Sequence, residues 1–145
     1  MTNNYIKFHE DIAIADTAFT VRGKTEEELF ENAGSALFSS MADVSTIEQI
    51  QKRSISLDAE KLDLLLFDFL NELILIKDTE NLIFSRFDIS IQRNDSNYHI
   101  NATVYGEVVN PQKHKITIDI KAITMHMFRL EKKKDYYEAR VVIDI

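Results

Sequence analysis

The chain has 145 residues, the size of one domain, and 45% of them are hydrophobic against 28% charged, which suits a packed core and excludes a disordered chain. Asp and Glu total 24 against 17 Lys and Arg, a formal charge of -7. That is the wrong overall sign for a protein that holds nucleic acid by displacing phosphate counterions, and the absence of cysteine removes disulfide frameworks, thiolate zinc sites and cysteine nucleophiles.

Pro111 is the one proline, and Gly23, Gly34 and Gly106 are the three glycines. No linker-like stretch interrupts the chain, so a single domain over residues 1–145 is expected. No basic segment followed by an apolar run opens the sequence, so no signal peptide is expected. The most apolar stretch, Leu62 to Ile76, carries Asp63, Asp68 and Glu72 and is shorter than the ~20 apolar residues of a bilayer span. A soluble, cytoplasmic protein is the expectation.

In chain order, residues 5–8 and 12–22 have extended character, ended by Gly23-Lys24-Thr25. Thr25 and Glu28 have the spacing of a capping box, and a helix follows to about Met41 with Leu29, Phe30, Ala33 and Leu37 on one face. Residues 46–57 read as a strand anchored by Ile47, Ile55 and Leu57, and Asp58 as the cap of a helix over about 59–77. That helix has an apolar stripe from Leu62 to Ile76, yet Leu64, Phe67 and Ile74 fall on its opposite side. A helix apolar nearly all round is buried on more than one face. The fold class expected is therefore α+β, a β/α/β layered sandwich with two main helices between or against antiparallel-rich sheets.

The rest is strand-rich. Residues 84–92 and 98–108 alternate on either side of Asn94-Asp95-Ser96-Asn97, a hairpin pattern. After a turn at Asn110-Pro111, Ile116, Ile118 and Ile120 alternate with Thr117, Asp119 and Lys121 as in a strand. Residues 127–131 and 136–144 flank Lys132-Lys133-Lys134-Asp135 as a last hairpin.

Few residues stand out chemically. Asp16, in a regular strand, shares a face with apolar neighbours, which requires a partner or a cation; the plainer reading is a solvated bend. Asp144 is followed by the terminal carboxylate of Ile145, and carboxylates this close repel unless a cation lies between them. Hard divalent ions take such oxygens; a frayed end in solvent is the plainer alternative. Lys121 can neutralise a phosphate or carboxylate, or make an ordinary surface salt bridge. Asp68 and Glu72, spaced i,i+4, read as structural pairing partners. His9, His99, His114 and His126 show no zinc-enzyme spacing, and no P-loop, Gly-x-Gly-x-x-Gly or Gly-x-Ser-x-Gly occurs. The Lys132–Lys134 tip beside Tyr136 and Tyr137 reads as a solubilising turn rather than an RNA contact.

Taken in order, the segments Gly23 to Ala33, Asp68 to Ile74 with Asp78-Thr79-Glu80, Tyr105-Gly106-Glu107 with His114, Lys121 to His126, and Arg140 to Ile145 resemble the archease family over about residues 13–145. One departure stands out: where the family has His-Thr-Ala-Asp, this chain has Ala13-Ile14-Ala15-Asp16, which keeps the aspartate and loses the histidine.

The resemblance implies a β/α/β sandwich in which Asp16, Asp144 and the carboxylate of Ile145 hold a divalent metal (Ca²⁺, Mg²⁺ or Mn²⁺), with Lys121 as a functional lysine beside them. It further implies a partner, an RtcB-type RNA ligase of tRNA splicing or repair. The family promotes the ligase's metal- and GTP-dependent guanylylation and multiple turnover; GTP enters through the ligase, and no stand-alone catalysis is expected. The competing expectations are a general chaperone or modulator of nucleic-acid enzymes, and a small metal-dependent hydrolase with His126 as base.

Overall fold

The computed structural model describes residues 5–9 and 16–145, and of Asp16 only the backbone. The expected strand over 12–22 therefore lies partly outside the described residues. What is described is β1 (Tyr5–His9) and β2 (Asp16–Gly23), followed by α1 (Glu26–Ser39). Thr25 Oγ1 accepts the amide of Glu28 at 3.1 Å, and Glu28 reaches back to the amide of Lys24 at 3.2 Å. The capping box is real, but its return arm closes one residue before the cap.

The next segment departs from expectation. Residues 47–50 are not a strand. Asp43 caps a single 3₁₀ turn, Val44–Thr46, and side chains from elsewhere then hold the chain: Ser85 Oγ donates to the Ile47 carbonyl, and Glu107 accepts the Glu48 amide. The strand β3 is Gln51–Ala59. Asp58 does not cap a helix; it is still inside β3, opposite His99, and lies 2.7 Å from His99 Nδ1. Helix α2 (Leu62–Glu80) starts after Lys61, with no side-chain cap.

Next come β4 (Leu82–Asn94) and β5 (Asn97–Val108), which pair as the expected hairpin, with Asp95 at φ 41° in the turn. A four-residue helix, α3 (Pro111–His114), occupies the expected turn, capped by the Asn110 side chain. The last hairpin is β6 (Ala122–Lys132) and β7 (Tyr137–Asp144).

Two antiparallel sheets result, ordered β1-β2-β7-β6 and β3-β5-β4. Helix α1 touches β2 and β7 of one sheet and β4 of the other; α2 touches β6 of one and β3, β4 and β5 of the other. The helices are the middle layer, so the β/α/β reading holds. Leu65, Leu66, Phe69, Leu70 and Leu73 of α2 are fully buried, each such burial contributing about 1.5–3 kcal/mol. On the helix's other side Ile74 is buried and Phe67 packs edge-on against Phe128 at 5.6 Å, while Leu64 stays open. Asp68 and Glu72 make no ion pair among the described residues, contrary to the structural pairing expected of them.

The Gly106-Glu107 step carries much of the second sheet. A Cβ on Gly106 would lie 1.8 Å from the carbonyl oxygen of Ile83, where the β4–β5 register shifts. Glu107, beside it, accepts from the Glu48 amide (2.7 Å), Lys113 Nζ (2.8 Å) and His114 Nε2 (2.9 Å). His114 is fully buried, and its Nδ1 accepts the Asn110 amide at 2.9 Å. The proton of the neutral ring therefore sits on Nε2 and points at Glu107. Burial pushes the Glu107 carboxyl up, but the Glu48 amide, the Lys113 ammonium and His114 outweigh it and hold the pKa at about 2.

Two outcomes follow from this step. Gly106→Ala should destabilise the fold by about 1–3 kcal/mol in denaturant titrations, because the Ile83 carbonyl has to move. A carboxyl depressed on folding stabilises fully above its ordinary pKa of 4.5 and progressively less as pH falls toward about 2. Glu107→Gln should lower the melting temperature at neutral pH and flatten its decline through that acid range. An unchanged acid limb would show that Glu107 does not carry it.

Candidate functional site

The four-stranded sheet places β7 between β2 and β6. At one end of it, the ladder sets Asp16 opposite Asp144 on one side and Ala122 opposite Asp144 on the other. The amide of Lys121 donates to the Asp144 carbonyl at 2.8 Å. Ile145 follows Asp144 directly. The backbone thus brings together Asp16, Asp144, Ile145 and Lys121, the residues singled out in the sequence. The Ala13-Ile14-Ala15 segment lies outside the described residues.

Several local devices hold this end. Asn71 of α2 accepts the Ile123 amide through Oδ1 at 3.2 Å and donates to the Phe67 carbonyl at 3.1 Å, which pins the start of β6 to the helix. Residues 116–121 were expected as a strand. Their burial alternates as a strand's does, but they form no ladder. Their amides go singly to different places: Thr117 to the Met41 carbonyl after α1, Lys121 to Asp144. The segment crosses from the middle layer to the sheet instead of running beside a strand.

Lys77 fixes that crossing from below. It is 6% exposed, and its Nζ lies 2.8 Å from Asp119 and 2.6 Å from Asp78. Burial lowers the Lys77 pKa, but hydrogen bonds to Asp119 and Asp78 outweigh it and carry the ammonium above its ordinary value. A lysine this buried is charged only because carboxylates meet it. Sequence reading passed over it: the i,i+1 spacing of Lys77 and Asp78 gives no signal, and Asp119 is far along the chain.

Two further polar groups belong to the same face of the sheet as Asp144. Strand parity puts Arg140 there on β7, and Thr124 pairs with Val142 between them. Arg140 Nε and Thr124 Oγ1 are buried with no hydrogen-bond partner among the described residues. Lys121 is exposed, and neither it nor Asp144 makes an ion pair there.

The pairing fits a hard cation. Two carboxylate residues at opposed ladder positions repel unless positive charge lies between them, and oxygen donors suit Ca²⁺, Mg²⁺ or Mn²⁺. Among the described residues, which exclude the Asp16 side chain, no set of three or more His, Asp or Glu side chains is arranged to hold a metal ion. His126 is exposed in a stretch, residues 125–128, where the β6–β7 register breaks. The other end of β2 carries a hollow of about 350 Å³, but Arg22 fills its wall, stacked on Tyr5 at 4.2 Å and Tyr136 at 4.6 Å and bonded to Glu138 at 2.8 Å. No helix among the described residues is long and apolar enough to cross a membrane.

Comparison with known proteins agrees with this architecture. The sequence profile of the Archease protein family matches residues 8–145. The archease of Methanothermobacter thermautotrophicus is 36% identical over 131 residues, covering 90% of this chain and 93% of that protein. That of Pyrococcus abyssi is 36% identical over 132 residues, with the same coverage of 90% and 93%. The solution structure of Methanobacterium thermoautotrophicum protein 1598 superposes with a TM-score of 0.86 at 34% identity, over 98% of this chain and 99% of that one. The crystal structure of a Thermotoga maritima archease, described as a possible chaperone, shares the fold with a TM-score of 0.58 at 23% identity, over 94% and 98%. From sequence and fold alike, the chain belongs to the archease family.

Proposed function

We propose that this protein is a cytoplasmic accessory factor that activates an RtcB-type RNA-splicing ligase and has no stand-alone catalysis. The reading is supported by membership of the archease family and by one geometric observation. Asp16 stands opposite Asp144 in the ladder, with Lys121 tied to the same residue.

In this reading Asp16 and Asp144, with the carboxylate expected at Ile145, hold a divalent ion. When bound, such an ion neutralises triphosphate charge and so favours GTP-dependent guanylylation of the ligase. Lys121 orients the carboxylates or meets a nucleotide phosphate. The net charge of -7 steers the chain toward a basic, RNA-binding enzyme. RNA is held by that enzyme, and direct RNA binding by this chain has no part in the reading.

The test is guanylylation of the cognate ligase with GTP and a divalent metal, with this protein at substoichiometric amounts. Faster labelling and multiple turnovers are expected. Asp16→Ala and Asp144→Ala should each reduce the stimulation by about 10–100-fold or more, with unchanged circular dichroism. Full stimulation by both variants would remove the metal assignment; no stimulation by the wild-type protein would remove the ligase reading.

A second reading, a general chaperone, is favoured by the description of the Thermotoga maritima relative as a possible chaperone. It is distinguished by suppressed aggregation of several unrelated proteins, an effect that Asp144→Ala should leave intact.

A further inference from the structure

The sheet edges of this molecule are not alike. Of the edge strands among the described residues, β1 has five residues, β6 loses register with β7 between Thr124 and Arg129, and β4 loses register with β5 between Phe84 and Arg86. Short length and bulges are two of the ways natural sheets keep an edge from recruiting another strand, charged side chains being another. The fourth edge, β3, has neither protection. Gln51–Ala59 pairs residue for residue with β5 without a break, contains no Gly or Pro, and touches only β5 and α2. Its outer side pairs with no strand among the described residues, although the Lys52 carbonyl accepts from Arg53 Nη1 at 2.7 Å.

We propose that the occupant is a second copy of this chain, with β3 pairing antiparallel to β3 about a two-fold axis through Ile55. The register follows from the side chains. Lys52, Ser54, Ser56 and Asp58 are exposed on the outer face; Arg53, Ile55, Leu57 and Ala59 face the helices. A shift of one residue would mix the two faces, so only axes through a residue are allowed.

The axis at Ile55 pairs all of 51–59. It sets Lys52 opposite Asp58 of the second copy and Asp58 opposite its Lys52, with Ser54 and Ser56 opposed between them. An axis at Ser54 or Ser56 shortens the overlap and leaves Lys52 or Asp58 facing a serine. Opposed unlike charges stabilise an antiparallel pair, and like charges destabilise it. Asp58 keeps its bond to His99 and is still 61% exposed, which leaves it free for the cross-strand contact.

The product is an isologous dimer with a continuous sheet β4-β5-β3-β3-β5-β4. It closes, because both new ends are the bulged β4. The proposal is independent of the ligase reading.

Sedimentation equilibrium of the full chain from micromolar to millimolar concentration tests it. The expected result is a reversible dimer, twice the 16.8 kDa of the monomer. Lys52→Asp and Asp58→Lys alone should each weaken association by about tenfold or more, since each places like charges opposite one another at both ends of the seam. Mixing the two variants should restore it as a heterodimer, where every opposed pair is again unlike. Thermal melts check that both variants fold. A wild-type monomer at all concentrations, a dimer indifferent to either variant, or a mixture no tighter than its components would overturn the proposal.

Discussion

A helix with apolar side chains on nearly all sides has to be covered on both, and the architecture depends on that constraint in α2. Leu65, Leu66, Phe69, Leu70 and Leu73 are fully excluded from water, and Ile74 and Ile76 nearly so. No single sheet can cover a circumference that wide. The chain must therefore build two sheets and pass between them, and its connections must cross a middle layer instead of joining neighbouring strands. The β2-α1-β3 passage and the run from α3 to β6 are such crossings.

Crossings are costly places for polar backbone, because a chain leaving one sheet for another has no ladder to satisfy it. The solutions here are side-chain anchors. Glu107 takes the Glu48 amide, Asn71 the Ile123 amide, and Ser85 binds the Ile47 carbonyl. Lys77 holds Asp119 in the middle of the last crossing. These anchors explain residues that neither periodicity nor composition marks, and they deliver Lys121 to the end of β7.

How far the sequence was legible follows the same line. Elements whose chemistry is local were readable: the Thr25–Glu28 cap, the Asn94–Asn97 turn and the burial of α2 on more than one side, though Leu64 and Leu75 stay exposed. Elements fixed by remote partners were misread. Ile116 to Lys121 alternates in burial because one side meets the core, yet a strand needs a neighbouring strand, and none lies beside it among the described residues. Asp58 looks like a cap because it precedes an apolar run, but the β5 ladder continues to Ala59 and keeps it. For Asp16 and Asp144 the residues by themselves left a solvated bend and a frayed end as the plainer readings. That the two come together was implied only by the family resemblance, since pairing between distant segments of a chain leaves no mark in local spacing.

The motif residues then separate into two kinds by one criterion, whether their polar groups are already satisfied. Glu107 and His114 are saturated: each hydrogen-bonding atom of the imidazole has a partner, and the carboxylate accepts from three residues. Groups engaged this fully have nothing left to offer a ligand, so their role is to hold the fold. Along the face of β7 that carries Asp144 the balance is reversed. Among the described residues Arg140 Nε and Thr124 Oγ1 are buried without partners and Lys121 and Asp144 make no ion pair, and Asp16 opposes Asp144 in the ladder. Buried polar groups left unmatched are unfavourable in isolation, and opposed acidic positions add repulsion. In the proposed reading it is this side of β7, and not the more densely bonded Glu107, that is left with polar groups to offer a ligand.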